Sequence, residues 1–159
     1  MQNLTIVTLP NAVLRQKAKT INIKDIGKLG LKELARKMII AMRQAKGIGL
    51  AAPQIGKSIR FIVVEVLPEP LVLINPVITH SSFAKELGQE GCLSIPGQWG
   101  FVKRAIKVDV EGYTLEGKKT KLNTEGLLAR VIQHEVDHLD GVLFIDKVDK
   151  SQLLGGYKL

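Results

Sequence analysis

The sequence predicts an α+β fold in which largely antiparallel β-sheets pack around the second of two amphipathic helices. Two observations carry this. Apolar residues recur at helical spacing near 28–45 and again near 124–140, and the strand-like runs are gathered between these stretches instead of alternating with helices one by one. With 159 residues, 45% of them hydrophobic, there is material for one core and one domain over 1–159, with a short tail at 147–159. No repeat, low-complexity run or linker divides it.

An extended segment opens the chain. Leu31, Leu34, Ala35, Met38, Met42 and Ala45 then form the stripe of the first helix, which Gly47 is placed to stop. In Gly47-Ile48-Gly49-Leu50-Ala51-Ala52-Pro53-Gln54, the residues Gly47, Gly49 and Ala52 have the spacing of a dinucleotide-binding turn, which needs a strand before it and a helix after it. Here a helix precedes, and Pro53 with the coming strand leaves no phosphate-binding helix start. The small residues read instead as a close-packed strand edge that presents one amide donor, Gln54. Strands are expected at 59–66 and 71–78, followed by a loop around Cys92 and strands near 101–113 and 118–123. Within Lys103 to Val110, the residues Ile106, Val108 and Val110 share one face.

The second helix has its stripe in Leu128, Val131, Ile132, Val136 and Leu139, with Asn123 or Thr124 available as N-cap and Gly141 placed at C′. Beside the stripe, in Gln133-His134-Glu135-Val136-Asp137-His138-Leu139-Asp140-Gly141, two histidines stand four residues apart with a glutamate directly after the first. A helix returns positions four apart to one face, so both imidazoles can grip one ion. Solvated or hydrogen-bonded core histidines would give the same letters. Unpaired imidazoles facing inward from a packed wall are costly, however, whereas ligands are natural there, and this becomes the metal-binding helix. Two histidines leave a catalytic site one ligand short. The only cysteine, Cys92, stands in Glu90-Gly91-Cys92-Leu93-Ser94, followed by Ile95-Pro96-Gly97, in a segment that reads as extended or turning. A lone cysteine is commonly a small buried hydrophobe. Beside a histidine pair, a thiolate ligand is the better reading.

Together and in this order, the three segments resemble the signature of the peptide deformylases: a Gly-x-Gly-x-Ala-Ala-Pro-Gln strand, a Glu-Gly-Cys-x-Ser loop and a Gln-His-Glu-x-Asp-His-x-x-Gly helix. The resemblance extends from Thr8-Leu9-Pro10 with Leu14-Arg15 to Phe144-Ile145-Asp146. It implies a metal-dependent hydrolase that removes the N-formyl group from the initiator methionine of nascent polypeptides and releases formate. Cys92, His134 and His138 would hold one divalent metal and leave a fourth position for water. The resemblance favours Fe2+, and Zn2+, Ni2+ or Co2+ suit the same donors. Glu135 would receive the proton of the attacking water and return it to the leaving nitrogen. The Gln54 side-chain amide and the Leu93 backbone N–H would stabilise the oxyanion. The peptide would lie as an added strand beside Ile48 and Gly49, with Ile48, Leu127 and Val131 walling the methionine pocket.

Two features depart from the family. Many bacterial members continue into a long basic C-terminal helix used for ribosome contact, whereas here Lys147 to Leu159 remains, and Gly155 and Gly156 argue against a helix there. Trp99 stands where some relatives carry an arginine that contacts substrate, which leaves the substrate rim less polar.

Composition narrows the setting. No apolar run approaches the roughly 20 residues of a membrane span and no secretory segment opens the chain, so no membrane partner is expected. A single cysteine excludes an intrachain disulfide framework and suits a reducing compartment. The cytosol is the expected address, an organelle reached with a cleaved transit peptide is also compatible, and a monomer is expected. The formal charge of +8 comes from 23 basic and 15 acidic residues. The basic residues are spread along the chain and aromatics amount to only 4%, which fits a solvated basic surface with weak ribosome association better than a nucleic-acid reader. The alternative activity is a His-Glu-x-x-His zinc peptidase, which usually takes a third histidine or glutamate from downstream. The 21 residues after His138 (159 − 138) contain no histidine. A closed structural metal site would need a fourth strong ligand, and His80 lies outside every motif.

Overall fold

Both faces of one short strand are buried, and the rest of the chain is arranged to cover them. In the computed structural model, which describes residues 4–148 and 153–154, the main elements are α1 (Leu31–Gln44), β1 (Gly49–Ala51), β2 (Phe61–Val64), β3 (Leu71–Ser81), β4 (Lys85–Cys92), β5 (Ile95–Ala105), β6 (Lys107–Tyr113), β7 (Lys119–Glu125) and α2 (Gly126–Leu139). Every residue of β2 is buried. Successive side chains of a strand point to opposite faces. Phe61 and Val63 accordingly join Leu50, Ile74, Met38 and Met42 under α1, while Ile62 and Val64 join Ala51, Leu73, Val131, Ile132, Val136 and Leu139 under α2. The unbroken apolar run Phe61–Val64 follows from this two-sided cover.

The sheet runs β1-β2-β3-β6-β7 and is antiparallel throughout, with β1 at one edge. The expected α+β class is the one observed. The expected strand at 101–113 is instead two strands in different sheets: β5 ends at Ala105 and β6 begins at Lys107. Alternation fails between them because Arg104 and Ala105 are both buried. The expected cysteine loop is also largely strand. β4 and β5 form a separate two-stranded hairpin, with Cys92 opposite Ile95 at its closed end. Its inward positions on β5 include Gln98, Gly100, Val102 and Arg104, so polar and small residues hide the two-residue period from a hydropathy reading. A third apolar cluster, with Ile95, Val102, Leu143, Phe144 and Ile145, fastens this hairpin to the chain following α2.

The helix ends differ in instructive ways. Gly141 takes a φ of 73°, with Val142 N–H on Asp137 O at 3.0 Å, as a C′ glycine should. At the end of α1 the left-handed position is Lys46, φ 57°, and not Gly47, whose N–H reaches back to Met42 O at 2.9 Å. Gly47 is instead a close-approach position: a Cβ there would sit 2.7 Å from Leu93 Cδ1, so the leucine side chain would have to move. The N-cap of α2 is Glu125, without a side-chain cap. Asn123 and Thr124 lie in β7 and are committed sideways, Asn123 Nδ2 to Asp109 Oδ1 and Thr124 Oγ1 to Val108 O. The glycines of the tail, Gly155 and Gly156, fall outside the described residues.

Asn75 in β3 stitches the N-terminal segment onto this frame. At φ 51° its side chain imitates a peptide unit, with Oδ1 accepting from Ile21 N–H and Nδ2 donating to Ile21 O, both at 2.8 Å. Asparagine tolerates this backbone region better than other side-chain-bearing residues. Replacing Asn75 by Ala leaves both backbone groups of Ile21 without their partner. Asn75→Ala should lower the unfolding free energy by roughly 2–3 kcal/mol, which urea denaturation monitored by circular dichroism will measure.

Candidate metal centre and active site

The helix α2 brings His134 and His138 together with ring centroids 5.0 Å apart at 68°. The closed end of the β4–β5 hairpin brings Cys92, whose Sγ lies 3.2 Å from His138 Nε2. One donor atom from each of Cys92, His134 and His138 can be chosen so that all lie within 4.8 Å of one another. A tetrahedral ion with metal–sulfur and metal–nitrogen bonds near 2.3 and 2.05 Å separates such donors by about 3.5 Å. The donor set and its spacing fit a divalent metal. His138 is 1% exposed, and burial above all pushes its pKa well below the usual range, keeping the imidazole neutral as a ligand must be. At His134 burial pulls the same way, but the bonds to Cys92 and Glu90 raise it to about 10, so metal binding there must displace a proton.

His134 is oriented from behind. Its Nδ1 lies 3.0 Å from Glu90 Oε2, which leaves Nε2 for the metal locus in the carboxylate–histidine–metal arrangement, and the Phe144 ring stacks against it with centroids 6.3 Å apart. Glu90 is itself buried and is held by Arg104 Nε and Nη2 and by Arg130 Nη1, each at 2.9 Å. Burial pulls the Glu90 carboxyl upward, but the Arg104 and His134 hydrogen bonds and charges override it and hold the group down at about 2. Arg104 Nη1 also reaches Asp137 Oδ2, whose carboxylate takes Lys147 Nζ as well. Nothing in the sequence marks Glu90, Arg104, Arg130 or Asp137 for this role, since each is of a residue type ordinarily found at the surface.

Glu135 is 3% exposed, and burial pushes its carboxyl up to about 7, with the His134 charge opposing. Its Oε2 is buried with no hydrogen-bond partner among the described residues. The carboxylate presses on β1: a Cβ at Gly49 would lie 2.2 Å from Glu135 Oε1 and 2.8 Å from Val131 Cγ1. Gly49 is therefore a close-approach glycine. Gln54, on the 3₁₀ turn Ala52–Ile55 after β1, is 2% exposed. Its Oε1 accepts from Ala51 N–H at 2.8 Å, which fixes the amide so that Nε2 faces Ser94 Oγ at 3.3 Å and Cys92 Sγ at 3.5 Å.

These groups open on a cavity of about 710 Å³ lined by residues of all three sequence segments, with Ile48, Gly49, Gln54, Cys92, Leu93, Leu127, Val131, His134 and Glu135 on its wall. His138 stands behind it. Every residue nominated from sequence is thus brought to one place. Trp99 lines the cavity too, half exposed and packed against the face of Gly91, where a Cβ would meet its ring at 2.6 Å. Its backbone makes a two-bond bridge with Leu154, N–H to O at 2.9 and 2.7 Å, so the start of the tail supports the rim.

Sulfur and imidazole donors around one point, a buried carboxylate and an apolar cleft are the equipment of a metal-dependent hydrolase. Sequence comparison makes this specific. Residues 3–153 match the polypeptide deformylase family. The chain is 48% identical over 146 residues to a peptide deformylase of Desulforudis audaxviator, covering 89% of this chain and 91% of that one. A crystal structure of a peptide deformylase from Synechococcus elongatus in complex with actinonin superposes with a TM-score of 0.86 at 46% identity, covering 92% of this chain and 79% of that one. The class I type b peptide deformylase of Acinetobacter baumannii with Met-Ala-Ser bound superposes with a TM-score of 0.87 at 35% identity, covering 91% and 98%. The chain belongs to the polypeptide deformylase family.

Adding a methyl group at Gly49 tests the packing against Glu135. Gly49→Ala should displace the carboxylate while leaving bound metal unchanged by elemental analysis, and a shift of about 1 Å is enough to cost roughly 100-fold in turnover.

Proposed function

We propose that this protein hydrolyses the N-formyl group of formyl-methionyl nascent peptides to formate and a free α-amine, using one divalent metal held by Cys92, His134 and His138. The observation that carries the reading is the convergence of those donors beside a buried Glu135 in a protein of this family. When bound, the metal supplies Lewis acidity and lowers the pKa of water toward neutrality. Ferrous iron is the proposed native metal. The peptidase alternative has no support from the metal cluster, whose third member is the cysteine.

The chain's own residues divide the work. Glu135 takes a proton from the water that attacks the formyl carbon and delivers one to the nitrogen as the C–N bond breaks. Its carboxyl, raised to about 7 by burial, suits both directions of transfer near neutral pH. The Gln54 Nε2–H and the Leu93 N–H serve the oxyanion. The Oε1 contact with Ala51 supports the Gln54 assignment, because it orients the donor before substrate arrives.

Substrate binding is proposed on the free side of β1. This strand is the sheet edge, and Ala51 N–H is turned away from β2 toward Gln54. By the alternation of strand hydrogen bonding, the N–H and C=O of Gly49 face the same open side, while Ile48 O is already taken by Glu65 N–H at 2.9 Å. A peptide can pair there as an added strand and place its first side chain against Ile48, Leu127 and Val131. Main-chain pairing tolerates many sequences, as an enzyme acting on most nascent chains requires. The wider setting proposed is a monomeric single catalytic domain in the cytosol with weak ribosome association through its basic surface. Among the described residues no helix is long and apolar enough to cross a membrane.

Formyl-Met-peptide turnover, measured anaerobically with ferrous iron or in the nickel- or cobalt-loaded protein, tests the reading. Glu135→Ala should retain metal and lose roughly 100- to 10,000-fold in activity, and full activity in that variant would overturn the role of Glu135. Cys92→Ala should lose metal on dialysis; unchanged metal content would place the third ligand elsewhere.

A further inference from the structure

Arg130 lies on α2 one turn before His134, and the reaction assigned above makes no use of it. Its guanidinium reaches across to the hairpin: Nη2 donates to Glu86 O at 2.8 Å, and Nη1 lies 2.9 Å from both Val102 O and Glu90 Oε1 and 3.4 Å from Gly88 O. Glu86 and Gly88 belong to β4, while Val102 is the β5 residue opposite Gly88. One side chain of the metal helix thus bonds main-chain carbonyls on both strands of the hairpin that carries Cys92. The hairpin is shaped to receive it, since a Cβ at Gly88 would lie 2.7 Å from Arg130 Cζ.

Charge alone does not account for this placement. Arg104 already gives Glu90 a two-pronged ion pair from within the hairpin. Arg104 reaches Asp137 of α2 through side chains alone, and Gln133 of α2 exchanges two bonds with the backbone of Ala105 at the far, open end of β5, at 3.2 and 2.9 Å. What neither supplies is a tie from α2 to the backbone of β4, the strand that ends in Cys92. The sulfur donor stands on the hairpin and both imidazoles on α2, so their separation depends on how firmly the two elements are docked. We propose that Arg130 is a positioning residue that clamps the β4–β5 hairpin to α2 and thereby sets the spacing of Cys92 Sγ from the two imidazoles, and with it the affinity for the metal. This rests on the reading of Cys92, His134 and His138 as the donors.

The test is a cobalt(II) titration against a competing chelator in wild type, Arg130→Met, Arg130→Lys and Gly88→Ala. Thiolate-to-cobalt and d–d absorption report the site, and circular dichroism reports the fold. Arg130→Met should bind cobalt roughly 10- to 100-fold more weakly, with weakened thiolate absorption and unchanged secondary structure. Arg130→Lys keeps the charge beside Glu90 but cannot span several carbonyls, so it should not restore wild-type affinity. Gly88→Ala, which displaces the guanidinium while retaining it, should move affinity in the same direction, and it decides the matter should Arg130→Met not fold. Wild-type affinity in Arg130→Met or in Gly88→Ala, or full rescue by lysine, would overturn the clamp while the donor assignment stands. A wild type that binds no cobalt would overturn the donor assignment and the clamp with it.

Discussion

Four N–H groups converge on one buried carboxylate, and the arrangement of the metal centre depends on them. Glu90 receives two from Arg104, one from Arg130 and one from His134. These come from β5 and from α2, while Glu90 itself stands on β4, so the same contacts that satisfy the charge also fix the hairpin and the helix against each other. A carboxylate buried without partners costs several kcal/mol and would sooner take up a proton. Glu90 is held in the opposite condition, ionised well below neutrality, and in that state it can accept from His134 Nδ1 and leave Nε2 pointing at the metal locus. The orientation of a ligand is thereby tied to the docking of a hairpin.

Close backbone approach is the second theme of the site. Gly47 admits Leu93, Gly49 admits Glu135, Gly88 admits Arg130 and Gly91 admits Trp99, each at a distance where a methyl group would collide. Glu135, Leu93, Arg130 and Trp99 can crowd one cavity because the backbone beneath them carries no side chain at these points. The conformational freedom of these glycines is secondary, since none of the four has a positive φ.

Much of this was legible in the sequence, for definable reasons. The two helices announce themselves through apolar period and β2 through an unbroken apolar run, because their burial is hydrophobic. The proposed metal donors announce themselves through rare residue types at fixed spacing. The hairpin was hidden, since its inward face is built from Gln98, Gly100 and Arg104 around Val102, which no hydropathy pattern marks as buried. For the same reason the ring of charges around Glu90 was missed: Arg104, Arg130 and Asp137 look like surface residues until distant segments are brought together. Asn123 and Thr124 misled in the other direction. Each is a good cap by type, but each lies in β7 with its side chain spent on β6.

The three-residue length of β1 has a consequence for the catalytic cycle. An unpaired sheet edge is an adhesive surface, and a long one would invite other chains and hold a processed peptide for too long. Each main-chain hydrogen bond is worth only about 0.5–1.5 kcal/mol net. An edge this short, with Ala51 N–H already occupied by Gln54, offers a passing chain few such bonds. With the peptide docked on this edge as proposed, its brevity favours fast departure, letting one enzyme molecule serve a succession of polypeptides instead of remaining on the first it meets.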